Sequence, residues 1–284
     1  MSTSTIPLTL ISSLLGPGSQ EEEETLEYLS LPKDMRTYTP PVLPEPEDIR
    51  DRQQLKAWFA ALLVTTEAWQ VGQPAIRLAM QDLSPADREV IDQVLGEGEV
   101  SAQIARDGGR VSVQESVFAG VWRLRGFNAS GLPTEDYVEV GAVPAMAREA
   151  AAQGLAAPQP AAAGPGVINA VALLAEITEQ VGLQHAEPHV INLSLLPFSP
   201  EDASWLDARL GRGQVTFLSR GYGNCRVTAT GIARVWWVQY FNSQDALILN
   251  TLEISDMPEV AQAAGEDLQD TSERLREVLE WIDC

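Results

Sequence analysis

Apolar positions recur along this chain with two different periods, and the same succession of periods occurs twice. Residues three and four apart are apolar over about 53–69 and again over 167–181, which predicts two amphipathic helices. Each runs into a short strand-like stretch, 74–80 and 188–195. Ser-Pro-x-x-Asp then opens a second helix, with Ser84 or Ser199 at the N-cap and a proline at the first helical position, where its missing N–H costs nothing. Gly96 and Gly211 end these helices. Four stretches rich in Val, Thr, Ile and aromatics follow: 98–105, 110–117, 119–127 and 135–140 in the first half, 213–220, 225–232, 234–241 and 246–254 in the second. Short helices are predicted from Pro144 and Pro258. A last helix over 265–283 carries Leu268, Leu275, Val278, Leu279 and Ile282 on one side and is expected to dock on its own half.

The parallel between the halves is a duplication. At an offset of 115 residues, LSPADREVIDQVLGEGEV (83–100) aligns with FSPEDASWLDARLGRGQV (198–215), and eight of the eighteen positions are identical. With small gaps, Val121-Trp122 meets Val235-Trp236, Phe127-Asn128 meets Phe241-Asn242, and YVEVGAVP (137–144) meets TLEISDMP (251–258). The predicted fold is α+β: two tandem homologous units, 51–150 and 167–284, each of helices plus a largely antiparallel sheet. Residues 1–50, with EEEE at 21–24 and TYTPPVLPEPED at 38–49, read as an extended or disordered acidic, proline-rich arm. The Ala/Pro/Gly stretch 151–166 reads as a semi-flexible linker.

Alternation within 234–241 puts Trp236, Val238 and Tyr240 on one face, matched by Trp122, Leu124 and Gly126. The other face carries Val235, Trp237, Gln239 and Phe241, matched by Val121, Arg123, Arg125 and Phe127. A position that is Trp in one copy and Arg in the other is not expected to be equally buried in both. Trp237 is therefore a candidate interaction anchor; the other reading is a covering helix, the C-terminal one among the choices. Asn128 and Asn242 end their strands as turn residues, since Asn tolerates left-handed backbone. Glu139 and Glu253 also match and are expected to face solvent.

Composition narrows the function. The 284 residues carry a formal net charge of −21, which disfavours gripping nucleic acid and reads either as solubility or as attraction for a basic partner. No apolar run reaches bilayer length and the N-terminus lacks the pattern of a signal peptide, so a cytoplasmic protein is expected. Two cysteines, Cys225 and Cys284, support neither a disulfide framework nor a thiolate metal site. SRGYGNCRV (219–227) is the most loaded loop, with Tyr222, Asn224 and Cys225. A reactive thiol there would need a cationic setting, which Arg220 and Arg226 offer; the first copy has no cysteine, and a buried structural thiol is the plainer reading. His185 and His189 have zinc-ligand spacing only if helical, and Pro188 breaks that. With no phosphate loop, nucleophile elbow or triad, no enzyme and no cofactor are predicted.

GYGNCRVTATGIARVWWVQYFNSQDALILNTLEI (221–254) resembles the HupH/HyaF family of [NiFe]-hydrogenase expression and maturation proteins. The likeness is strongest over 210–254 and includes MRTYTPPVLPE (35–45) and the internal repeat; GYGNC and WWVQYFNS together carry it. The resemblance implies an accessory chaperone that binds the hydrogenase small, iron–sulfur subunit precursor before twin-arginine export, alongside a thioredoxin-like accessory protein. It supplies no catalytic residues. Trp237, Gln239, Phe241, Asn242, Tyr222, Asn224 and Cys225 are the candidate motif and partner-binding positions. The alternative is a thiol redox helper or transient iron–sulfur carrier acting through Cys225.

Overall fold

The computed structural model describes residues 45, 49–159, 161–183, 187–220 and 224–283. The predicted arm lies almost wholly outside the described residues, as do His185, Tyr222 and Cys284. The first unit runs α1 (Gln53–Ala68), β1 (Ile76–Ala79), α2 (Pro85–Leu95), β2 (Val100–Arg106), β3 (Gly109–Glu115), β4 (Val121–Asn128), β5 (Pro133–Val140) and α3 (Ala145–Ala152). The second repeats it: α4 (Ala170–Val181), β6 (His189–Asn192), α5 (Pro200–Leu210), β7 (Val215–Ser219), β8 (Asn224–Ala229), β9 (Val235–Phe241) and β10 (Leu247–Ile254). A 3-10 turn, Leu193–Leu195, follows β6, and another, Glu259–Ala261, stands where the first unit has α3. The C-terminal helix α6 spans Gly265–Asp283.

The strands form one antiparallel sheet in the order β1-β5-β4-β3-β2-β7-β8-β9-β10-β6. The second unit thus repeats the strand order of the first in reverse, and the two meet at β2 and β7. Their register places Ala102 opposite Phe217, its own counterpart at the repeat offset, with Val100 opposite Ser219 and Ile104 opposite Val215. An antiparallel ladder is twofold symmetric by construction, so a local dyad normal to the sheet passes through this pair. Neither unit has a free β2 or β7 edge.

Three apolar clusters cover the sheet. One is shared by the two units on a single face, where Trp122, Leu124, Ile104 and Val113 join Trp236, Val238, Phe217 and Val227 beneath α3 and the Glu259–Ala261 turn. On the other face α1 and α2 pack over Val121, Val138 and Val140, while α4 and α5 pack over Val235, Trp237, Leu252 and Ile254. Burying each large side chain contributes on the order of 1.5–3 kcal/mol. The linker is tied down rather than loose: the Leu155 N–H donates to Gly231 O at 2.7 Å and Leu155 O accepts from Ala233 N at 2.9 Å.

Helix α6 crosses to the first unit, correcting the expectation that it docks on its own. Leu275 lies in the first unit's helix-side cluster, the Thr271 hydroxyl donates to Ala119 O at 2.9 Å, and Arg276 bonds Glu67 at 2.6 Å. Gly120, at φ +74, makes room for it: a Cβ there would fall 2.0 Å from the Leu268 side chain. Beside this contact Glu115 is buried and accepts the Gly120 N–H at 3.3 Å. Burial pushes its carboxyl up to about 7, with backbone N–H groups pulling the other way and Glu99 and Asp267 adding to the rise.

Equivalent positions do equivalent work. The Trp122 indole donates to Gly141 O at 2.8 Å and that of Trp236 to Ser255 O at 3.1 Å, each tying its strand to the end of the next. The Asn128 side chain accepts from Ser130 N and Leu132 N at 2.9 Å, and that of Asn242 from Gln244 N and Ala246 N at 2.9 Å. Asn acts here through its amide; the left-handed residue of each turn is Gly131 (φ 77) or Asp245 (φ 59), three positions on. At the Arg/Trp position the expectation of unequal burial fails. Arg123 is 6% exposed and Trp237 is 7% exposed. Arg123 is neutralised by Asp92, at 3.0 Å, and by Asp136, whereas the Trp237 indole donates to Asn250, the counterpart of Asp136. The buried donors Arg123 and Trp237 thus each have their own acceptor. Glu139 is also buried, not solvent-facing: it pairs with Arg77 at 3.1 Å and accepts the Ala145 N–H at 2.8 Å, at the start of α3. Glu253 is half-buried and bonds Ser255 at 2.7 Å.

Asn128→Ala and Asn242→Ala should each cost about 1–2 kcal/mol in urea unfolding, because each strands two loop amides. Trp237→Arg alone should destabilise strongly, and adding Asn250→Asp should restore part of the loss, a coupling read in a double-mutant cycle. Glu115 stays neutral in the folded state to a higher pH than its ordinary 4.5, so its contribution is fully present below about 4.5 and lost as pH rises through about 7. Relative to the wild type, Glu115→Gln should therefore gain stability as pH rises across that window in a denaturant series.

Candidate partner-binding site

Strands β8, β9 and β10 bring most of the sequence-predicted positions together. Cross-strand register sets Asn224 opposite Phe241, Cys225 opposite Tyr240, Arg226 opposite Gln239 and Thr228 opposite Trp237. Along this ladder burial falls toward the Asn242 turn. Trp237 and Gln239 are buried, Phe241 and Asn242 are partly exposed, and Asn224 is exposed. The Arg226 guanidinium lies 5.2 Å from the centre of the Phe241 ring. Asn224 donates to Asp245 at 3.4 Å across the hairpin end. Tyr222, the remaining predicted position, lies outside the described residues.

Trp237 is thus not an exposed anchor. It packs with Leu173, Leu174 and Ile177 of α4, so the covering helix is α4 and not the C-terminal one. Cys225 is buried in the shared cluster. Burial pushes its thiol up to about 12, a hydrogen bond with Tyr240 offsets part of that, and Glu253 adds to it. A thiol so protected holds almost no thiolate near neutral pH. His189, one of the two histidines with ligand-like spacing, bonds Glu176 at 2.8 Å.

Exposed apolar residues that the sequence reading passed over gather beside this hairpin. β6 pairs only with Thr251–Ile254 of β10, so Leu247–Leu249 has no strand on that side among the described residues. Leu247 and Ile248 begin this stretch, and Ile248 is 62% exposed. The 3-10 turn after β6 adjoins it, because Ser194 Oγ accepts the Asn250 N–H at 2.8 Å, and that turn exposes 80% of Leu195 along with part of Leu196. Val190 on β6 is exposed as well. The repeat held the signal. Leu247-Ile248-Leu249-Asn250 occupies the place of Pro133-Thr134-Glu135-Asp136, and the first unit's version carries a proline and two carboxylates. Those carboxylates are engaged, Glu135 with Arg106 and Asp136 with Arg88 and Arg123. Among the described residues no helix is long and apolar enough to cross a membrane.

The family described as HupH hydrogenase expression protein, C-terminal conserved region, matches the chain twice, over residues 53–159 and 167–282. Over 275 residues the chain is 50% identical to the hydrogenase expression/formation protein HoxQ of Cupriavidus necator, covering 95% of this chain and 96% of that protein. It is 45% identical over 271 residues to the hydrogenase expression/formation protein HupH of Rhodobacter capsulatus, with 94% and 95% covered. The hydrogenase-1 operon protein HyaF of Escherichia coli is 32% identical over 274 residues, with 95% of each chain covered. Among solved structures, the hydrogenase expression protein HupH from Thiobacillus denitrificans is 33% identical and aligns with a TM-score of 0.36, over 41% of this chain and 97% of that one. With both units matched and full-length relatives at this identity, the chain belongs to the HupH family of hydrogenase expression proteins.

Proposed function

We propose that this protein is a cytoplasmic accessory chaperone of [NiFe]-hydrogenase maturation that holds the small-subunit precursor before twin-arginine export. The observation that carries this reading is membership, across both units, of a family whose relatives are named hydrogenase expression/formation proteins. The physical chemistry of the chain supports binding rather than bond-making. A formal net charge of −21 favours encounter with a basic partner, and a twin-arginine segment is basic. Two units fused through one ladder offer a preformed surface, which lowers the ordering cost of capture. A thioredoxin-like accessory protein is a second candidate partner. The thiol-based alternative draws no support from a buried Cys225 whose proton is held up to about 12.

Co-purification with the small-subunit precursor, with and without its signal peptide, tests the proposal. Retention of the precursor should weaken as salt rises, because a charge-steered complex is screened. Cys225→Ser should leave hydrogenase maturation within about twofold of wild type, since the thiolate population is small at neutral pH. Loss of maturation in a folded Cys225→Ser protein would favour the thiol route instead, and a precursor that never co-purifies would end the chaperone reading.

A further inference from the structure

The two ends of the sheet are equivalent in backbone and opposite in chemistry. In the first unit the stretch of β5 that β1 leaves uncovered is Pro133–Asp136: proline lacks a donor, and Glu135 and Asp136 are held in ion pairs. Prolines and charges at such positions keep another strand from pairing there. In the second unit the same stretch is Leu247–Leu249, and its flanks are Leu195 and Leu196. Where the first unit has a proline and carboxylates, this stretch has apolar residues, and Ile248 stands at a register shift of the β9–β10 ladder.

We infer that the Leu247–Leu249 edge of β10 is a docking site for an extended, apolar segment flanked by basic residues, which adds as a strand. The extended form follows from the ladder, since only a β-strand satisfies a row of strand N–H and C=O groups. Apolar character follows from Leu247, Ile248, Leu195 and Leu196. Basic flanks follow from charge: the chain carries −21, and an exposed carboxylate, Asp245, stands in the turn that leads into the strip. The same charge opposes a second copy of this chain as the occupant. The inference deepens the chaperone reading and rests on it for the natural ligand only.

The test uses a fluorescent synthetic peptide of alternating leucine and threonine with two arginines at one end, titrated against the full chain. Saturable binding is expected. It should weaken about tenfold or more with Ile248→Lys or Leu195→Lys, and stay unchanged with Val64→Lys, which sits exposed on α1. Glutamates in place of the arginines should weaken it, and methylating alternate peptide amides should abolish it. Leu195 lies outside the ladder, so its variant keeps the test open if Ile248→Lys does not fold. No saturable binding, binding indifferent to both variants, or equal binding of the methylated peptide would overturn the inference. So would a wild-type dimer in sedimentation that Ile248→Lys dissociates, because the occupant would then be a second copy. Precursor retained equally by wild type and Ile248→Lys overturns the edge and leaves the chaperone reading standing. Peptide binding at the edge with no precursor retained by wild type does the reverse.

Discussion

The β2–β7 ladder holds the two units together as one sheet. A five-stranded unit of this topology has, at β2 or β7, an edge of unpaired backbone groups beside an apolar face. Pairing the two edges about a dyad at Ala102 and Phe217 satisfies both rows of hydrogen bonds and makes one cluster out of two half-clusters. It also fixes the units to one another. The Ala/Pro linker and helix α6 then fasten strands already joined, the first through Leu155 and the second through Leu268, Thr271 and Leu275.

Once the frame is doubled, its two halves are free to diverge wherever the dyad does not reach. The buried site on the helix side of β4 is ionic, with Arg123 between Asp92 and Asp136; the matching site on β9 is an indole bonded to an amide. Either arrangement gives its buried donor an acceptor, so each works only as a set. At the outer sheet edge the divergence is larger. One unit carries a proline and two carboxylates there, and the other carries Leu247, Ile248 and Leu249. The exposed apolar strip therefore lies in one unit of a molecule whose strand order is nearly symmetric.

Local chemistry made much of this legible in the sequence. Ser84 and Ser199 cap their helices as Ser-Pro-x-x-Asp predicts, and Gly96 and Gly211 end those helices in left-handed backbone. Alternation assigned Trp122 and Trp236 to one core face correctly. The Asn turns were also legible, though the part each asparagine plays was not, because an amide that accepts two loop N–H groups and a backbone in the left-handed region leave the same residue in the sequence.

The duplication, the α+β class, the order of helices and strands, and the family are all readable from the chain, since capping, turn chemistry and periodicity act over a few residues. Long-range packing made the two sheets one, sent α6 across to the other unit, and buried Trp237 and Glu139. It also decided that the exposed apolar strip lies at Leu195 and Ile248. Those outcomes depend on contacts between residues far apart in the chain, where burial is set by what packs against a side chain and not by its own type or its neighbours.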